Sequence, residues 1–370
     1  MPSSASSTVA PYDGLLLVSF GGPERPEDVV PFLEIVTRGR GIPRERLEEV
    51  GGHYLGFGGR SPINDINRTL LDAIRADLAA HDVAVPVYWG NRNWDPYLTD
   101  AVEQMRRDGV TRAAGFVTSA YSSYSSCRQY REDLAQATGF GRGPEDGAGG
   151  PQLDRLRSYY NHPGFLGPVV DAVVAAVSGR PDARLLFVTH SIPVSMNDGS
   201  GPQGGAYLAQ HRNAAAYVAG RVSALTGREH AHDVVFCSRS GPPQVPWLEP
   251  DVNDHLEKLA GDLPDGASGS VVIVPIGFVS DHMEVVYDLD TEALVTARRL
   301  GLDAVRVSTS GTDPRFVAMV RELLLERAAT ERGEHVDRVS VGGDPPCWDL
   351  CVPGCCPNPR GDRPALGGAA

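Results

Sequence analysis

The sequence predicts an α/β protein of two doubly wound, Rossmann-like domains with a ligand cleft between them. Two features predict it. Short, near-continuous apolar runs alternate with longer amphipathic stretches, the pattern of parallel strands covered by helices on both faces. The same strand–helix rhythm occurs in both halves of the chain, without a short repeat, as expected when each half folds around its own sheet. Ligands of such sheets sit beyond the carboxyl ends of the strands, so a site is expected at the join between the domains.

The apolar runs at 15–20, 85–89, 114–118, 185–189, 234–237, 271–278 and 304–307 read as buried strands. Amphipathic stretches at 26–37, 63–80, 97–108, 165–177, 206–225 and 314–329 read as helices between them. Runs rich in Gly and Pro at 139–150, 197–205 and 262–269 read as loops, the first near the domain join. The expected organisation is a disordered leader over 1–10, an N-terminal Rossmann-like domain over 11–150, a C-terminal one over 151–333 and a Cys-rich tail over 334–370. The chain can cross back between the domains near its end.

With 370 residues, 41% of them hydrophobic, the chain can bury the cores of two domains of ordinary size. A formal net charge of −13 argues against nucleic acid and anionic membrane surfaces as partners. Any anionic ligand must then be met by local Arg, His or backbone N–H groups. No apolar stretch reaches the length of a membrane span, and the Ser- and Ala-rich start lacks a basic region followed by an apolar run. These features predict a cytoplasmic protein with no stable membrane anchor. Cys127 and Cys237 stand alone, whereas Cys347, Cys351, Cys355 and Cys356 crowd together near the end. A small secreted disulfide scaffold is not built this way.

Three segments could carry chemistry, each just after an expected strand. In LLFVTHSIP the strand delivers His190 to a carboxyl end, where its imidazole could bind a transition metal or accept a proton near neutral pH. The bland alternative is a strand-end His satisfied by the backbone. In VVIVPIGFVSDHMEVVYDLDTEA an apolar strand ends in a polar turn holding Asp281, His282 and Glu284. Glu284, Asp288 and Glu292 then recur every four residues, on one face of the helix expected there. Three like charges in line repel one another. A bound cation or proton traffic would relieve that, though a solvated acidic face is the ordinary explanation. His190 and Glu284 could face each other across a ligand, one group taking protons while oxygen ligands pass a hydrated divalent cation along. The third segment, VSFGGPE at 18–24, could cradle phosphate on its glycines, but it is not G-x-G-x-x-G and lacks the P-loop Lys. A tight turn that lets a flat ligand approach the backbone fits as well. HYLGFGGRSPIN at 53–64 and TSAYSSYSSCRQY at 118–130 are dense in Tyr, Ser and Gly. They could hydrogen-bond carboxylates and stack on an aromatic ring, or be ordinary loop composition.

Taken in order, LLLVSFGGPE, VTRGRG, FGGRSPIN, YWGNRNW, FVTHSIP, SRSGPPQVPWLEPD and PIGFVSDHMEVVYDLD resemble the ferrochelatases, over residues 12–331. The resemblance implies the two-domain chelatase fold with a porphyrin in the interdomain cleft, and a lyase of haem biosynthesis that takes Fe(II) as substrate. It assigns His190 and Glu284 as the catalytic pair at the metal-insertion site, with Asp288 and Glu292 as the acidic, metal-handling line leading away from them. Ser61 and Tyr130 match positions that contact the porphyrin in coproporphyrin-using members. His53 and Tyr54 fall where such members place propionate-contacting residues, and Arg38 and Arg40 are nearby cations for the carboxylates. Phe20 stands where many relatives place a Tyr that can approach the iron. A Phe cannot ligate, so packing against the ring is the role left to it.

The tail departs from the common pattern. Cys347, Cys351, Cys355 and Cys356 have the spacing C-x3-C-x3-C-C, and four thiolates could hold a [2Fe–2S] cluster. The paired C-x2-C spacing of common zinc sites is absent. Some ferrochelatases carry such a cluster on three tail cysteines and one from the body. Actinobacterial members that do so place the body Cys in the loop after the catalytic His, where this chain has Ser200. The expected ligands are therefore Cys347, Cys351 and Cys355 or Cys356, with the fourth also from the tail and Cys127 as a lesser substitute. An unstructured tail with idle thiols is the alternative.

The composition and the VTRGRG and GNRNW segments look actinobacterial, a group associated with the coproporphyrin route. Coproporphyrin III bears four propionates and is more water-soluble, which suits a soluble enzyme without an apolar lip or anchoring helix. The resemblance thus implies coproheme as product and transient contact with neighbouring haem-pathway enzymes. Rival readings are a protoporphyrin IX ferrochelatase and a cobalt or nickel chelatase, the latter usually marked by more His residues than His190 and His282. A haem or porphyrin carrier is the rival from another class; it needs an axial ligand but no acidic line. A nucleotide-binding oxidoreductase would carry the dinucleotide fingerprint that this chain lacks.

Overall fold

The structure, a computed structural model, describes residues 8–39, 41–140, 150–264 and 269–368. Arg40, most of the expected leader, the middle of the 139–150 loop and residues 265–268 lie outside the described residues. The first half runs β1 (Gly14–Ser19), α1 (Val29–Val36), α2 (Arg44–Gly56), α3 (Ile63–Ala80), β2 (Val87–Asn91), α4 (Leu98–Arg107), β3 (Arg112–Val117), a π-helical turn (Tyr124–Arg128), α5 (Gln129–Thr138) and β4 (Gln152–Arg155). The second runs α6 (Pro163–Ser178), β5 (Arg184–His190), α7 (Val194–Asp198), α8 (Ala206–Thr226), β6 (His232–Cys237), α9 (Val252–Gly261), β7 (Ser270–Val274), α10 (Met283–Val285), a π-helix (Val286–Ala293), α11 (Leu294–Arg299), β8 (Asp303–Arg306) and α12 (Pro314–Glu331).

The strands form two parallel sheets, ordered β2-β1-β3-β4 and β6-β5-β7-β8. Each order reverses beside its first strand, between β1 and β3 and between β5 and β7, and crevices open beyond the carboxyl ends at such points. Alternation along the strands builds the layers. Leu15 and Leu17 of β1 and Leu185 and Phe187 of β5 join one central core with α3, α6, α8 and α12. Leu16 and Val18 pack the other way, under α4 and α5, and Leu186 and Val188 under α9 and α11. Burial on both faces is why these strands read as unbroken apolar runs.

Local signals set the element ends. α6 and α12 begin at Pro163 and Pro314, where the missing N–H costs nothing; His162 Nδ1 and the Asp313 carboxylate cap the following N–H groups. α8 stops at Gly227, whose φ of 71° is the left-handed turn that glycine adopts freely. The run at 271–278 stays a strand only to Val274, because Pro275 has no N–H to continue the ladder.

The sequence gives no sign of β4, whose QLDR is short and polar at three of its four positions. It pairs with β3, so the first sheet reaches Arg155 and the expected join at 150 falls before its last strand. α12 then packs on α3 as well as on α6, tying the end of the chain back to the first half. α2 is likewise unexpected. Only Leu47 and Gly51 of it are buried, too thin a stripe to show as a periodic pattern. Among the described residues no helix is long and apolar enough to cross a membrane.

Gly277 sets the approach of β7 to the end of β5. Its N–H donates to Val188 O at 3.1 Å, and a Cβ there would lie 2.1 Å from Thr189 Oγ1 and 2.8 Å from Thr189 Cα. Gly277→Ala is expected to push the two apart and cost about 1–3 kcal/mol of stability. Thermal unfolding checks this; an unchanged melting temperature would contradict it.

Candidate active site

β5 delivers His190 to the crevice, and α8 braces it from behind. The His190 carbonyl accepts from Tyr207 OH at 2.8 Å. One residue earlier, Thr189 Oγ1 meets Tyr207 OH and His211 Nε2 at 2.9 Å each. His190 Nδ1 lies 2.5 Å from Ser191 O. A carbonyl only accepts, so in the neutral ring Nδ1 carries the proton and Nε2 the lone pair. Nε2 stands 3.5 Å from Glu284 Oε1, with the two side chains 35% and 41% exposed. Both are partly exposed beyond the carboxyl end of the second sheet.

After β7 the chain makes only three residues of α10 before it widens into the π-helix Val286–Ala293. The α-helical face expected for the acidic line is thus corrected to a largely π-helical one, a form that recurs at functional sites. Met283, Val285, Leu289 and Ala293 are buried on the sheet side. Asp288 is 9% exposed, whereas Glu292 is exposed.

Ser238, just beyond β6, donates its hydroxyl to Asp288 and lies close enough to Glu284 to help hold its pKa down. It does so at φ 62°, a left-handed conformation that a non-glycine residue adopts seldom. Sequence reasoning passes over Ser238 except as part of a motif. Its one available signal is a hydroxyl placed straight after a buried strand.

The charges shift one another. Burial penalises the His190 imidazolium, but Glu284, the Ser191 carbonyl and Asp288 outweigh it and hold the pKa above the ordinary value. Burial alone would raise Glu284; the facing His190, then His282 and Ser238, instead hold it well below the usual carboxylate range. Asp288 is pushed up to about 7 by burial and by Glu284, against the hydrogen bond from Ser238. Burial lowers His282 below its ordinary value. The line therefore pairs an ionised carboxylate with a neighbour that titrates near neutrality.

The residues expected around a ligand are only partly gathered. Phe20, just past β1, is 36% exposed and packs edge-on to Phe32, with the Arg92 guanidinium 5.7 Å from its ring. Ser61 is buried and accepts from Met283 N at 3.2 Å, joining the first half to the residue before Glu284. The Tyr54 phenol is pushed up by burial and by Glu284 and Asp288, which puts it within electrostatic reach of the acidic line. His53 stacks on Tyr287 of the π-helix at 4.1 Å. Tyr130 is buried in the first sheet's outer core, with Arg92 4.8 Å from its ring. Arg38 is exposed beyond α1, near Tyr97, and makes no ion pair among the described residues. Arg92, in the GNRNW segment, lies beside both Phe20 and Tyr130 and was not singled out by the sequence. Ile42, Leu55 and Phe57 are 39%, 53% and 41% exposed, because α2 buries so little of itself.

The tail cysteines are buried. Cys351, Cys355 and Cys356 pack with Cys127 of the π-helical turn in one group. Cys127 hydrogen-bonds Cys351 and Cys356, Cys351 bonds Cys355, and the Cys355 and Cys356 sulfurs are 3.8 Å apart. Cys347 packs instead in the central core, so the expected tail-only set changes by one member. The main-chain N–H of Gly201, next to Ser200, donates to Cys356 Sγ at 3.2 Å. Hydrogen bonds from Cys127 and Cys355, with the charges of Arg155 and Arg131, hold the Cys351 thiol far below its ordinary pKa. All six cysteines are free, and among the described residues no group of three or more His, Cys, Asp and Glu side chains is arranged to hold a single metal ion.

Comparison with known proteins adds independent findings. The ferrochelatase family model matches residues 12–328. A coproporphyrin III ferrochelatase of Streptomyces griseus is 56% identical, over 97% of both chains. One of Streptomyces coelicolor is 55% identical over the same shares, and one of Frankia alni 52% identical over 96% of this chain and 89% of its own. Among solved structures, SirB from Bacillus subtilis with Fe3+ is similar in fold, with a TM-score of 0.50 and 12% identity over 86% of this chain and 97% of that one. The sheet order, the strand-end His and the acidic segment agree with a family match across nearly the whole chain: it belongs to the ferrochelatases.

Proposed function

We propose that the chain inserts ferrous iron into coproporphyrin III to give coproheme for haem synthesis, with His190 and Glu284 as its catalytic pair. The observation that carries the reading is the 3.5 Å approach of His190 Nε2 to Glu284 Oε1, both partly exposed beyond the strand ends. The names of relatives more than half identical support the choice of porphyrin.

Fe(II) is a substrate here: it sheds water, two pyrrole N–H groups lose their protons, and the ring nitrogens take the metal. His190 accepts the two pyrrole protons in turn on Nε2, passing on the first before the second, while Nδ1–H stays on Ser191 O. Glu284 stabilises the imidazolium that forms. Asp288, titrating near 7, relays the proton towards exposed Glu292. The same oxygens suit a hydrated divalent cation on its way in. Phe20 packs against the ring, Ser61 and Tyr130 contact it, and His53, Tyr54 and Arg38 meet its propionates. The protein acts in the cytoplasm and hands its product to neighbouring enzymes. Anaerobic incubation with Fe(II) and coproporphyrin III, followed by mass spectrometry, tests this. A product that gains one iron and loses two protons, with all four carboxyls kept, is expected; unchanged porphyrin would refute it.

The cysteine group fits a [2Fe–2S] cluster in its donor chemistry: four sulfurs buried together, one of them favoured as thiolate beside two guanidinium groups. Cys127, Cys351, Cys355 and Cys356 would hold it, and it would supply a one-electron centre. Protein purified without oxygen is expected to hold about two irons and two sulfides per chain. Cys127→Ser should lose them and Cys347→Ser keep them; colourless wild-type protein free of both would end the idea.

A further inference from the structure

Beside the cleft, one cation holds both ends of the acidic segment. Arg306 closes β8, and its side chain is only 13% exposed. Its Nε and Nη2 reach the two oxygens of Asp290 at 2.5 and 2.8 Å. Its Nη1 and Nη2 reach the two oxygens of Asp281 at 3.2 Å each. A planar guanidinium is the one side chain that can make two such bidentate contacts at once, and a Lys ammonium cannot copy them.

Asp281 and Asp290 bracket the residues that matter. Asp281 lies three positions before Glu284, and Asp290 two positions after Asp288. The segment between them is poorly supported by its own backbone. α10 is three residues long with no side-chain cap, and a π-helix is a rare form of low intrinsic stability. Its apolar residues press on the sheet, but apolar packing does not fix rotation about the helix axis. The polar ties do: Ser61 on Met283 N, Ser238 on Asp288, and Arg306 on both flanking aspartates. Arg306 makes the most of these bonds and is the only one of the three rooted in a strand of the second sheet.

We propose that Arg306 is a positioning residue for metal insertion: by clamping Asp281 and Asp290 it fixes the run of α10 and the π-helix that points Glu284 at His190 and keeps Asp288 in line behind it. It touches neither iron nor porphyrin. It also neutralises two carboxylates that would otherwise add to the negative charge of the line. The inference rests on the ferrochelatase reading for its kinetic consequence, but not for its structural one.

The test compares wild-type protein with Arg306→Met, Arg306→Lys and Asp290→Asn. Hydrogen–deuterium exchange, followed by mass spectrometry, should quicken in peptides spanning 281–293 on the order of tenfold in Arg306→Met, less in Asp290→Asn, with the β1–β3 sheet unchanged. In anaerobic assays the KM for Fe(II) should rise on the order of tenfold while the KM for the porphyrin stays put. Arg306→Lys should fall nearer to Met than to wild type. A purely structural role would instead quicken exchange across the whole second sheet and lower kcat without the KM split, and that result overturns the proposal. So does unchanged exchange at 281–293 in both Arg306→Met and Asp290→Asn. If Arg306→Met fails to fold, Asp290→Asn alone decides. Inactive wild-type protein would refute the functional reading, while the exchange comparison still decides the clamp.

Discussion

His190→Ala is expected to slow iron insertion by roughly 10²–10⁴-fold while leaving porphyrin binding within a factor of about two. Ser191 O fixes Nδ1 as the protonated nitrogen, and Tyr207 and Thr189 hold the residue from behind. What remains for the cleft is a lone pair on Nε2. Only the unprotonated imidazole can accept a pyrrole proton, so the rate should fall as the pH drops below the His190 pKa. That pKa is raised above 6.5, chiefly because Glu284 overcomes the effect of burial. The acid limb of the wild-type profile should therefore lie above that of a free histidine. Single-turnover loss of porphyrin fluorescence measures the rate. A variant retaining a third or more of the wild-type rate would remove His190 from the chemistry.

Glu284→Gln is expected to cost about 10²-fold or more in turnover, and to move the acid limb to lower pH. The sign follows from the partners. Removing the carboxylate leaves burial as the dominant influence on His190, so its pKa drops. Asp288 loses a neighbouring negative charge, so its pKa, held near 7, also drops. The base becomes available at lower pH but is weaker, and the imidazolium loses its counter-charge. A pH profile from pH 5 to 9 on both proteins reads this directly. The same variant separates an enzyme from a carrier. A carrier should bind haem unaltered by Glu284→Gln, whereas an enzyme should lose turnover.

Much of this was legible before any coordinates. The buried strands write themselves as apolar runs because both faces are covered, and seven of the eight can be read directly. β4 escapes because four residues, two of them charged, carry no such signature. His190 and the acidic line were visible because they follow strands. Their helical form was not, because a four-residue spacing looks the same whether the helix is α or π. Ser238 and Arg306 were hidden for a different reason. Their roles lie in contacts with residues 50 and 16 positions away, and a lone Ser or Arg has no periodicity to betray it. Cys127 was undervalued on spacing alone. Only the folding of the tail over the π-helical turn brings it to Cys351 and Cys356.

The most direct measurement is the initial rate of anaerobic Fe(II) insertion into coproporphyrin III and protoporphyrin IX, side by side on the same protein. The account predicts that kcat/KM for coproporphyrin III will be higher by roughly tenfold or more, as expected when polar groups are placed to meet carboxylates that the other porphyrin lacks. A preference for protoporphyrin IX would contradict the proposed substrate, and no insertion into either would contradict the proposed chemistry.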